Sequence, residues 1–119
     1  MQISKYTIVL YTKENGESPV KRFIDALETK MQAKVLRFIA LLRQNGRELR
    51  EPYTKSLSEG ILELRIIHGN NIVRILYFFM QGNTVVLTNG FVKKSNKTPK
   101  REIELAKKYR RDYLERIGK

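Results

Sequence analysis

Two arginines stand inside otherwise apolar runs, Arg65 within Leu62-Glu63-Leu64-Arg65-Ile66-Ile67 and Arg74 within Ile72-Val73-Arg74-Ile75-Leu76-Tyr77. A guanidinium in the centre of a strand is costly unless it finds an anion, and its planar fork matches the oxygens of a phosphate. The two flank a short turn, so in a hairpin they could face the same side. Both are candidates for gripping a nucleic-acid backbone. The alternative is an internal ion pair, for example Arg65 with Glu63. A third basic element follows in Asn89-Gly90-Phe91-Val92-Lys93-Lys94-Ser95-Asn96-Lys97-Thr98-Pro99, where a strand ends in lysines just before a helix start. Free backbone amides and the helix dipole attract phosphate there, so Lys93, Lys94 and Lys97 read as the rim of a basic pocket, against the plainer reading of a solvated loop.

Other chemistries find less support. His68, the only histidine, falls in a turn and reads as a polar turn residue. Glu14, Glu17, Asp25 and Glu28 fall on a turn or off the apolar helix stripe and form no acid pair. The sequence holds no phosphate-binding glycine loop, no dinucleotide fingerprint, no H-E-x-x-H and no cysteine. We therefore expect no nucleotide cofactor, no metal, no disulfide and no thiolate nucleophile.

Charge points to a polyanionic partner. The 119 residues carry 24 Lys and Arg against 12 Asp and Glu, a net charge of +12. Residues 93–119 alone hold 11 basic and 4 acidic residues. With 41% hydrophobic residues the chain can bury a core, and its length suits one domain over residues 1–119. The stretch from Met1 to Leu10 lacks the apolar core of a signal peptide and no apolar run is long enough to span a bilayer, so we expect a cytoplasmic protein without a membrane role.

The elements that must position these residues follow from periodicity. Tyr6 to Thr12 reads as a strand. Ser18-Pro19 caps and opens a short helix with Val20, Phe23, Ile24 and Leu27 on one stripe. A second helix is predicted from Lys30 to Asn45, closed by Gly46. Residues 47–60 lack either period and read as a loop. Strands are predicted over 61–67, 72–80 and 84–92, joined by tight turns into a meander. Thr98-Pro99 then opens a last helix with Ile103, Ala106, Tyr109, Tyr113 and Ile117 on its apolar stripe. The order is β-α-α-β-β-β-α, an α+β layout with an antiparallel-rich sheet, helices packed on one face and the other face partly open.

Leu62-Glu63-Leu64-Arg65, Val73-Arg74-Ile75-Leu76-Tyr77 and above all Gly90-Phe91-Val92-Lys93-Lys94 with Thr98-Pro99 and Glu102-Ile103-Glu104-Leu105-Ala106 make the chain resemble the phage-derived Gp49-like HigB toxins of the RelE/ParE superfamily. The likeness runs from the first strand to the last helix. It implies a RelE-like fold and a messenger-RNA endonuclease acting on the translating ribosome. The implied partner is a HigA-type helix-turn-helix antitoxin, in a higher hetero-oligomer. By motif, the scissile phosphate falls to Arg65, Arg74 and Lys93, with Lys94, Lys97, Lys55 and Arg101 as further RNA contacts. The implied chemistry is metal-independent attack of the ribose 2′-hydroxyl on the adjacent phosphate, with cations stabilising the pentacovalent state.

One departure stands out. Where the best-known RelE pattern places a tyrosine in the C-terminal helix region, the corresponding stretch of this chain lies near Ile103, and that role is vacant or moved. Tyr109 and Tyr113 share the stripe of Ile103 and Ala106 and read as core or interface, which leaves the general acid and base unassigned. Composition alone fits a non-catalytic module that docks on ribosomal RNA equally well. A ParE-like gyrase inhibitor would share the fold but lack the convergent Arg65, Arg74 and Lys93.

Overall fold

A computed structural model describes residues 5–93 and 97–118. The elements are β1 (Thr7–Leu10), α1 (Pro19–Asp25), α2 (Thr29–Asn45), a 3₁₀ turn (Gly46–Glu48), β2 (Thr54–Ser58), β3 (Ile61–His68), β4 (Asn71–Phe79), β5 (Thr84–Val92) and α3 (Lys100–Ile117). The Ser18 hydroxyl accepts from the Lys21 amide and Pro19 begins α1, as capping rules expect. The last helix begins differently. Pro99 is its cap residue and no side chain caps it, which leaves the Thr98 hydroxyl for another partner.

The sheet runs β1-β5-β4-β3-β2, with β1 parallel to β5 and every other pair antiparallel. The expected order gains a strand, since residues 54–58 pair with β3 instead of forming a loop. Being at the sheet edge, β2 leaves Lys55 and Ser56 exposed and shows little hydrophobic alternation. Its hairpin to β3 turns on Glu59 and Gly60, at φ 48° and 83°. A two-residue turn with both φ values positive suits the twist of the flanking strands, though glutamate pays for that conformation.

The expectation of helices on one face is corrected. Helices α1 and α2 cover one face, with Val20, Ile24, Val35 and Leu42 packed on Leu64, Ile66, Ile75 and Leu87. On the other face, Ala106 and Tyr109 of α3 pack on Ile61, Leu76, Phe78 and Val86. An amphipathic stripe announces that a helix packs, not on which side of the sheet. Tyr109 stacks on Tyr11 at 4.6 Å and is a core residue, and Tyr113, partly buried, packs against that core edge-on to Phe78. Among the described residues no helix is long and apolar enough to cross a membrane.

Candidate phosphate-binding site

Strand pairing sets the site. Arg65 and Arg74 are directly opposite in the β3–β4 ladder, and Glu63 lies two residues before Arg65. Side chains alternate along a strand, so all three share the face of Ile61 and Leu76, the face that α3 covers in part. His68 has the parity of Leu64 and Ile66 and belongs to the opposite face. Its position therefore keeps it out of the cluster.

Lys93 reaches the same face through an irregularity. The β4–β5 register shifts between Leu76 and Tyr77: Tyr77 pairs with Leu87 but Leu76 pairs with Asn89, leaving Thr88 as an extra residue. A bulge of this kind switches the parity of everything beyond it. Upstream, Val86 belongs to the α3 face; downstream, Asn89, Phe91 and Lys93 do, and Val92 turns to the other side. The Thr88 hydroxyl bonds the Leu76 carbonyl at 3.1 Å and the Asn89 side chain at 2.7 Å, holding the bulge in place. The Lys93 amide completes the ladder with a 2.7 Å bond to the Ile72 carbonyl.

The geometry converges on one carboxylate. Glu63 is 1% exposed; its Oε1 accepts a 2.5 Å hydrogen bond from the Thr98 hydroxyl and lies 3.6 Å from Arg74 Nε, and its Oε2 lies 3.7 Å from Arg65 Nε. The internal ion pair weighed as the alternative for Arg65 thus forms. Even so, three cations face this one buried carboxylate. Arg74 is buried; among the described residues its Nε has no hydrogen-bond partner, and its one direct bond is a long one of 3.4 Å to the Val73 carbonyl. Burial lowers the Arg74 pKa, Glu63 opposes this and Arg65 adds to it. For Lys93, burial likewise lowers the pKa; Glu63 opposes, while Arg74, Arg65 and Lys55 push further down.

An open groove of about 230 Å³ runs beside the cluster, lined by Lys55, Glu63, Lys93, Lys97, Thr98 and Ile103 among others. Lys55 pairs with Glu63 in the β2–β3 ladder, which brings it to the site. Arg101 does not join it. That side chain is 84% exposed on the first turn of α3, 3.8 Å from Glu102, and is not among the groove residues. Lys94 lies outside the described residues. Ile103, in the stretch where the RelE pattern would place a tyrosine, forms apolar groove wall.

Two participants escaped the sequence reading in their full role. Glu63 figured only as a possible ion-pair partner and Thr98 only as a helix opener. The signal for Glu63 was the same one that marked the arginines, a charge between apolar strand residues. Among the described residues no three His, Asp or Glu side chains gather as a metal site would require. The arrangement is suited to holding a phosphate diester and stabilising added negative charge upon it.

The family model described as phage-derived protein Gp49-like matches residues 22–111, which include the entire cluster. No curated protein matches the chain.

Proposed function

The chain belongs to the phage-derived Gp49-like family, part of the RelE/ParE-like toxin group, and from this premise we propose that it is the toxin of a toxin–antitoxin pair and cuts messenger RNA on the ribosome. The observation that carries the reading is the convergence of Arg65, Arg74 and Lys93 on one sheet face around a single buried carboxylate. Scattered lysines suffice to hold RNA loosely; a buried Arg74 directly opposite a partly buried Arg65 is costly and is explained by an anion that visits the pair.

In this reading the guanidinium groups of Arg65 and Arg74 bind the non-bridging oxygens of the scissile phosphate. The ribose 2′-hydroxyl gives up its proton to water and attacks phosphorus, the P–O5′ bond breaks, and a 2′,3′-cyclic phosphate and a free 5′-hydroxyl remain. The arginines gain most where charge accumulates, in the pentacovalent state. Lys93, whose burial eases proton release, donates a proton to the leaving 5′-oxygen. Lys55 and Lys97 line the groove as contacts for the flanking backbone. A HigA-type helix-turn-helix antitoxin would silence the protein in a higher hetero-oligomer.

Induction of the protein alone in bacteria tests this. Growth should stop, protein synthesis should fail before DNA synthesis, and co-expression of the neighbouring antitoxin should restore growth. Normal growth under strong, soluble expression would contradict the toxin reading, and DNA synthesis failing first would favour gyrase as the target.

A further inference from the structure

We propose that Glu63 is the positioning residue of this site: its buried carboxylate gathers Arg65 and Arg74 beside Lys93 and fastens the cluster to the start of α3 through Thr98. The inference rests on the phosphate-binding reading above and adds what assembles that site before RNA arrives.

The distances separate this role from that of an ordinary structural salt bridge. A structural arginine–carboxylate pair closes to about 2.7–2.9 Å, often through two parallel bonds. Here the two Nε–carboxylate separations are 3.6 Å and 3.7 Å, beyond hydrogen-bond length. Among the described residues the one short bond of the carboxylate comes from neutral Thr98, at 2.5 Å. Glu63 therefore attracts both guanidinium groups without using up their Nε donors, and Arg74 Nε has no hydrogen-bond partner among the described residues. Those donors are not committed to Glu63.

Thr98 supplies the second half of the argument. It precedes the cap residue of α3, yet its hydroxyl turns to a carboxylate on β3 and the helix start has no side-chain cap. This bond draws the start of α3 to the centre of β3, where Lys97 and Thr98 line the same groove as Lys93. Acting on Lys93 are Glu63 and Arg65 from β3, Arg74 from β4 and Lys55 from β2. Glu63 is the anion of that set. Without its charge the set would be wholly cationic, and the ammonium would give up its proton at lower pH.

The experiment reads Lys93 directly, by NMR titration of isotope-labelled lysine side chains in the free full-length protein, with Lys93→Arg identifying the resonance. Glu63→Gln should lower the Lys93 midpoint by on the order of one pH unit, the size of effect one nearby opposite charge carries. Arg65→Gln, at a side chain 25% exposed, should raise it, and Thr98→Val, which keeps every charge, should leave it in place. An unmoved midpoint in Glu63→Gln overturns the proposal. Should that variant fail to fold, an unmoved midpoint in Arg65→Gln does so. Cleavage then supplies the functional readout: the alkaline limb of its pH profile should follow the Lys93 midpoint in Glu63→Gln, whereas a merely structural Glu63 would lower the rate alike at every pH. If the midpoints move as expected while the wild-type protein cuts no RNA, the positioning role stands and the nuclease reading falls.

Discussion

Replacing Arg74 by methionine should abolish activity while making the fold more stable. Methionine keeps much of the apolar stem and removes the charge. The change forfeits attraction to Glu63, about 4–5 kcal/mol for charges 3.6 Å apart at an effective dielectric constant of about 20. It also relieves repulsion from Arg65, about 3 kcal/mol if the opposed side chains carry their charges roughly 5.5 Å apart. Two further costs vanish with the guanidinium: its desolvation, several kcal/mol, and the unpaired Nε, about 1–3 kcal/mol. Glu63 is not abandoned, since Arg65, Lys93 and Thr98 remain around it. The balance is stabilising by about 2–5 kcal/mol, an increase in Tm of about 8–20 °C. Cleavage should meanwhile fall by about 100-fold or more, the effect of removing one charge contact from the transition state. Thermal melts followed by circular dichroism, run beside cleavage assays, decide the matter. A drop in Tm of about 10 °C or more would show that Arg74 is chiefly a structural ion-pair partner and would refute the reasoning.

Alkaline pH should weaken the fold through Tyr77, whose phenol burial pushes up to about 12 from an ordinary value of 10.0. The unfolded chain releases that proton near pH 10 and the folded chain does not until about 12. Stability present below pH 10 is therefore lost as pH rises through this window, by about 1.4 kcal/mol per pH unit; urea titrations at pH 9 and 11 should show the decline, and Tyr77→Phe should reduce it. Gly90→Ala should destabilise by about 1–3 kcal/mol, because a Cβ there would sit 2.4 Å from the Phe23 ring and 2.8 Å from Ile75 Cδ1. Calorimetric melts should show the loss, and Phe23→Leu should recover part of it.

How much of this was readable in the amino-acid sequence depends on which forces leave a local trace. Strands β3, β4 and β5 announce themselves through dense β-branched and aromatic residues, and their observed bounds lie within one residue of expectation. The edge strand β2 left little, because only one of its ladders is filled and Lys55 and Ser56 at its centre are exposed and polar, so Thr54-Lys55-Ser56-Leu57-Ser58 shows no apolar alternation. Arg65 and Arg74 were legible as charges in expensive places. That Lys93 joins them depends on the bulge at Thr88, and neither Val85-Val86-Leu87 before it nor Thr88-Asn89-Gly90 across it alternates in a way that marks where parity changes. The side of the sheet chosen by α3, and with it the bond from Thr98 to Glu63, is a tertiary outcome that helical periodicity does not encode.

Cleavage of a defined messenger RNA on translating ribosomes tests the central claim most directly, comparing wild-type protein with the Arg65→Ala, Arg74→Ala double variant and with Lys30→Ala, at an exposed position on α2 remote in sequence from the site. Wild type and Lys30→Ala should cut at similar rates and leave 2′,3′-cyclic phosphate ends, while the double variant, folded by thermal melt, should lose cleavage by about 100-fold or more. Wild-type rates from a well-folded double variant would contradict the assignment of the site.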